Sequence, residues 1–213
     1  MAVHHRHRRR HRHLPRPPLR PPGCHATGAA ARHGRVAPAG GEARSTIVPD
    51  AHGGNLDIPE IRPGTTVYLG VNVPGALFAI GDGHARQGQG ELCGVAVETA
   101  MNVTLAVDLI KGMTTPWPRI ETDHRIVSVG AARPLEDAYR ISQHDLVTWT
   151  AQLVGLDLLD AYQLVSQAGR AAPGNVCDPL YTMHAALNQA VLAGASSYDG
   201  MHQRLRRITE ATR

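Results

Sequence analysis

Short apolar runs separated by Pro-Gly breaks dominate the middle of the chain, the spacing of strands joined by turns. Residues 65–73 (TTVYLGVNV) are rich in β-branched side chains and follow Pro63-Gly64; Pro74-Gly75 then separates them from a second run at 76–80. Residues 92–98 predict a third strand. Residues 102–110 alternate, with Val103, Leu105, Val107 and Leu109 on one side and Thr104, Ala106 and Asp108 on the other, the pattern of a half-buried antiparallel strand. Residues 120–129 predict one more strand. The period then changes. Leu135, Ala138, Tyr139, Leu146, Trp149 and Leu153 share a helical face over 134–153, with Pro134, Glu136 and Asp137 in its first turn and Gly155 past its end. Asp157 is placed to cap a second helix running to 168, with Leu158, Ala161, Tyr162 and Val165 turned inward. Residues 180–192 fit a strand, a helix, or one followed by the other. Strands followed by a helical pair predict an α+β fold, β-rich with sandwich-like antiparallel sheets.

Composition changes this picture mainly at the front. Of 213 residues 42% are hydrophobic and 4% aromatic, so a core has to come from Val, Leu, Ile and Ala. The formal charge of +4 is segregated: residues 1–35 hold nine Arg and no acid, leaving 13 Lys and Arg against all 18 Asp and Glu. The remainder is acidic, which argues against a nucleic-acid surface on a folded domain. Residues 1–35 are rich in Arg, His and Pro and are expected as a disordered tail. A basic arm for an anionic surface and an N-terminus translated out of its natural frame are the competing readings. Residues 36–213 are expected to form one domain. Cys24, Cys93 and Cys177 make no CxxC pair, which suits free thiols in a reducing, cytoplasmic setting. Cys93 reads as a buried small hydrophobe. No apolar run is long enough to span a bilayer.

The candidate chemistry lies in two glycine-rich stretches, HGGNLD at 52–57 and PGALFAIGDGHARQGQGE at 74–91. Asn55, Asp57, Asp82, His84 and Glu91 supply the oxygen and nitrogen ligands that a divalent cation takes. Asp82 and His84, two apart on an extended chain, point to the same side and could share one metal. On residue chemistry alone, a turn with local hydrogen bonds is the commoner explanation: Asp57 as a turn cap, His84 as a core imidazole, Glu98 as a surface strand residue paired with an Arg.

HGGNLD, TTVYLGVNVPGALFAIGDGHARQGQGELCGVAVE, VTLAVDLIKG and WPRIET, in that order, together resemble the acetamidase/formamidase family over about 36–179, a span that includes GLDLLDAYQLVSQAG and NVCDP. The resemblance implies a metal-assisted hydrolase of small aliphatic amides, cytoplasmic and homo-oligomeric. It implies Asp57, Asp82 and His84 as metal residues, with zinc the first choice of ion and calcium the alternative. Asn55 and His52 would line the substrate site, and Glu91, or next Glu98, would serve as general base. The chain departs from the family pattern at Gln89, where an Asp is usual, and at Arg86, where a small residue is usual. Both changes are expected to weaken a cation site. The β-rich region that precedes HGGN in the family's full-length members is not recognisable here, so a non-catalytic remnant is the alternative expectation.

Overall fold

The computed structural model describes residues 30–211, with nine strands in two antiparallel sheets and three α-helices. The first sheet has the order β2-β1-β4-β5, built from Ala30–Arg35 (β1), Gly53–Asn55 (β2), Ala79–Arg86 (β4) and Val97–Glu98 (β5). The second has the order β3-β6-β7-β9-β8, from Thr66–Tyr68 (β3), Arg119–Glu121 (β6), Arg125–Ala132 (β7), Arg170–Pro173 (β8) and Tyr181–Asn188 (β9). The α+β reading stands. Among the described residues no helix is long and apolar enough to cross a membrane.

Alternation along β7 and β9 gives the second sheet two working faces. Ile126, Ala185 and Leu187 meet helices Leu135–Val154 (α1) and Leu158–Ala168 (α2) through Leu146, Trp149, Ala161 and Val165. On the other face, Val127, Val129 and Ala186 cover Leu56 and Ile58. Both helices begin where expected, and Asp157 caps α2 by accepting from the Leu159 and Asp160 amides at 2.8 and 2.9 Å. Gly155 closes α1 in the left-handed conformation, φ 69°. The predicted inner face is only partly right: Ala138, Leu146, Trp149, Ala161 and Val165 are buried, whereas Tyr139, Leu158 and Tyr162 are exposed. One sheet covers only a narrow stripe of each helix, and these three fall outside it.

The strands are shorter than expected in several places: of 65–73 only Thr66–Tyr68, of 76–80 only Ala79 and Ile80, and of 92–98 only Val97–Glu98 pair in a sheet. Residues 102–110 form no regular element, and Val103, Leu105, Val107 and Leu109 are all exposed. Alternation makes a strand only where a neighbour supplies backbone partners and cover. The run at 120–129 is a hairpin, β6 turning through Thr122 into β7, whose hydroxyl receives the His124 and Arg125 amides. Residues 181–188 are strand, followed by a short 3-10 turn at Gln189–Val191.

The largest difference lies at the front. Strand β1 falls inside the stretch expected as tail, and it is a central strand, paired on one side with β2 and on the other with β4. Residues 1–29, the rest of that stretch, with Cys24, lie outside the described residues. The sequence AARHGR lacks the large apolar side chains that signal a strand, yet Ala30, Ala31, Arg32 and His33 are buried. Arg32 stays inside by donating to the Ile58 carbonyl at 2.9 Å and to that of Ile61.

Candidate active site

The site is assembled at one side of the first sheet from five segments. Strand β1 registers His33 against Asn55 of β2 and against Gly81 of β4, which brings HGGN beside GDGH. The two glycines of HGGN make that approach possible. With φ of 92° and 101°, they lie so close to the neighbouring chain that an added Cβ would stand 2.3 Å from the Gly34 carbonyl oxygen at Gly53 and 2.5 Å from that of Val48 at Gly54. Pairing of β4 with β5 sets His84 opposite Glu98. The connection between β8 and β9 then delivers Asn175 and Asp178, and a bridge from Asn175 to Gly90 holds Glu91 beside them.

Asp57 is the innermost carboxylate. It is fully enclosed between Leu56 and Ile58, both also fully buried, with its backbone at φ 51°. Asp82 and Glu91 share that left-handed backbone, at 59° and 41°. Non-glycine residues in this region cost on the order of 1–3 kcal/mol each, and such strain gathers at functional sites. Ligand atoms of Asp57, Asp82 and His84 lie within 4.8 Å of one another, as do those of His84, Glu91 and Glu98. The five metal and base candidates therefore converge on one imidazole.

The hydrogen bonds of His84 determine which of its nitrogens faces the carboxylates. Gln87 Nε2 donates to the carbonyls of Asp57 and Gly174, so Gln87 Oε1 is left to accept, and His84 Nδ1 at 3.0 Å carries the hydrogen. Nε2 then faces Asp82 Oδ1 at 3.1 Å and Glu98 Oε2 at 3.4 Å. A ring nitrogen between two carboxylates is satisfied either by a proton of its own or by a cation that lies between them. A histidine whose other N–H is tied to an amide oxygen is also the usual form of a metal ligand. Asp57 Oδ1 adds a buried oxygen without a hydrogen-bond partner. These residues fit a divalent cation. The ring's single nitrogen and the carboxylate oxygens are compatible with zinc, and the oxygen excess with calcium.

Like charges crowd the site. Burial, together with the charges of Glu91, Asp178 and Asp82, pushes the Asp57 carboxyl up to about 9. Burial also raises Glu91, opposed by His84, and raises Asp178, opposed by the hydrogen bonds it accepts from Asn55 and Asp57. Such a cluster holds a proton, or a metal, in the neutral range.

Not every expected residue joins it. Asn55 does: its Nδ2 donates to Asp57 at 2.9 Å and to Asp178 at 2.8 Å. His52 does not. It is buried in the turn before β2, its ring among Asp50, Arg44, Arg35 and His33, and burial lowers its pKa. Gln89 and Arg86 are exposed. Cys93 is exposed rather than buried. Gln87, Asn175, Asp178 and His33 belong to the site and were not singled out by the sequence reading. NVCDP was quoted there as a motif, so a polar pair three apart was the available signal for Asn175 and Asp178; His33 was hidden by the composition of its surroundings. An open groove of about 450 Å³ adjoins the cluster and shares Asn55 and Asp82 with it, with Ile47, Ile80 and His33 along its walls.

Known proteins resemble this chain in sequence and in fold. A model of the Acetamidase/Formamidase family matches residues 1–162. The formamidase of Methylophilus methylotrophus is 38% identical over 102 residues, 45% of this chain and 24% of that protein. The acetamidase structure from Yersinia enterocolitica is 46% identical with a TM-score of 0.76, covering 78% of this chain and 50% of that one. The acetamidase structure from Bacillus halodurans is 35% identical with a TM-score of 0.75, covering 80% and 57%. The chain thus spans about half the length of the solved relatives it matches.

Proposed function

The chain belongs to the acetamidase/formamidase family, and on that premise we propose that it hydrolyses small aliphatic amides such as formamide and acetamide to ammonia and a carboxylate, using a divalent cation at His84. The observation that carries this reading is the convergence of His84 Nε2 with Asp82 and Glu98, with Asp57 and Glu91 alongside. Asp57, Asp82 and His84 would hold the ion, zinc first and calcium as the alternative. When bound, the cation supplies Lewis acidity, lowering the pKa of a water and polarising the amide carbonyl.

The chain's own residues handle the protons. Glu91, whose carboxyl is raised by burial, accepts a proton from the attacking water as the C–O bond forms. It returns that proton to the amide nitrogen as the C–N bond breaks, so the nitrogen leaves as ammonia. Glu98, half-exposed at the edge of the same cluster, is the second choice for this role. Asn55 borders both the cluster and the groove, where it can orient the substrate. The reading includes a cytoplasmic, self-associating protein.

Ammonia release from formamide and acetamide by the purified chain, with zinc or calcium added and with a chelator as control, tests the proposal. Chelator-sensitive release is expected, and Glu91→Gln should lower turnover by roughly 10²–10⁴-fold while leaving the circular dichroism spectrum unchanged. Soluble, folded, metal-loaded protein that releases no ammonia would overturn it.

A further inference from the structure

Asp57 and Asp178 meet across two carboxamides. Asn55 Nδ2 donates to Asp57 Oδ2 at 2.9 Å and to Asp178 Oδ2 at 2.8 Å; Asn175 Nδ2 faces the same two oxygens at 3.1 and 3.0 Å. Two donors and two acceptors alternate around a small ring. Asp57 and Asn175 are fully enclosed and Asp178 nearly so. Both amide orientations follow from chemistry, because each Nδ2 faces only oxygen acceptors.

The ring decides which oxygen Asp57 has to offer. Two N–H groups converge on Oδ2, leaving Oδ1, the buried oxygen with no partner, as the atom free to bind a cation. Burial of Leu56 and Ile58 fixes the backbone at Asp57, but it leaves the carboxylate plane free to turn. Asp178 itself stands outside both groupings of ligand atoms around His84.

We propose that Asp178 is a positioning residue for the metal site: by accepting from both Asn55 and Asn175 it holds the two amides so that they capture Asp57 Oδ2 and turn Asp57 Oδ1 toward the cation. This rests on the metal-hydrolase reading above. Without the Asp178 acceptor, Asn55 keeps a hydrogen with no partner beside an enclosed site, and Asn175 keeps only the Asp57 carboxylate and the Asn55 carbonyl, at 3.1 Å each, as acceptors. Either amide can then turn its oxygen toward Asp57, where two acceptors repel, and the carboxylate loses its fixed orientation.

The test measures metal affinity apart from turnover. Zinc and, in parallel, calcium dissociation constants are determined by competition with a chromophoric chelator for the wild-type chain, Asp178→Ala and Asn175→Ala, with urea midpoints for each. Asp178→Ala is expected to bind metal about 10- to 100-fold more weakly, the range for groups that orient a ligand. Its loss and that of Asn175→Ala should not add in the double variant. Its kcat should fall with little change in KM. Asp178→Asn, which keeps an oxygen able to accept at that place, should recover part of the lost affinity. Asp123→Asn is the control: Asp123 faces His202 and Arg206 of helix Met201–Ala211 (α3), so its loss should lower the urea midpoint and leave metal affinity unchanged. Wild-type affinity in Asp178→Ala would overturn the inference, as would an equal loss in Asp123→Asn, or a wild-type chain that binds neither metal. Normal metal binding by the wild type, weakened in Asp178→Ala, but with no ammonia released from either, would remove the hydrolase reading and leave this inference standing.

Discussion

Asp57 shows how far a fold can move a single carboxyl. With its pKa near 9 in the folded protein and near the ordinary Asp value of about 4 in the unfolded chain, the folded state holds a proton that the unfolded state has lost. The unfolded chain binds fewer protons across that interval, so stability falls as pH rises. Glu91 and Asp178, also raised, act in the same direction. Burial lowers the pKa of His33 and His52, which has the opposite effect, but only below about pH 6.5, where an unfolded histidine gains its proton. Between about pH 7 and 9 the carboxyls dominate, and the metal-free protein should show a falling melting temperature over that range. A bound cation takes the place of the proton and should flatten the slope. Thermal denaturation in chelator and in zinc checks both, and a melting temperature that rises with pH in chelator would contradict the picture. At this scale the sequence was informative where glycine-flanked polar residues gathered in motifs, as at Asp82, His84 and Glu91. It was silent about Gln87, because a glutamine in a loop has no signature until its partners, His84 Nδ1 and the Asp57 carbonyl, are in place.

Strand β1 is the element on which the site depends. It lies between β2, which carries Asn55, and β4, which carries Asp82 and His84, so without it the two motifs share no sheet. Proline at Ala31, where β1 pairs with Gly83 of β4, removes a ladder donor and is incompatible with a central strand. Ala31→Pro should therefore lower the urea midpoint and abolish metal binding. Unchanged stability would mean that β1 does not support the sheet. The helices, by contrast, were readable, because their caps and apolar stripe lie within one stretch of chain. A central strand of Ala, Arg, His and Gly was not, because its burial comes from neighbours on both sides rather than from its own apolarity. Residues 102–110 fail in the opposite sense: their alternation is clear, but no neighbouring strand pairs with it among the described residues.

At the scale of the whole molecule, the apolar surface is unevenly distributed. Leu77, Leu92, Val97, Val107 and Leu109 are each more than half exposed, and all lie within residues 77–109. Isolated exposed apolar residues are ordinary, whereas a concentrated run of them is the mark of a surface that associates. The purified chain should sediment above its 22.8 kDa monomer mass at micromolar concentration, and Leu92→Glu with Val107→Glu should shift it toward monomer. A wild-type chain that stays monomeric would remove self-association from the proposed function. The amino-acid sequence by itself determined the class of fold, the two C-terminal helices and the motifs that hold the candidate ligands, because each of these is written in local spacing, capping and residue chemistry. Only the tertiary structure decided that Ala30–Arg35 is a central strand, that His52 lies apart from the carboxylates, and that Asn175 and Asp178 complete the site from 118 residues or more beyond Asn55 and Asp57. Those outcomes depend on which segments meet, and a chain's local pattern carries no record of what a distant segment will bring to it.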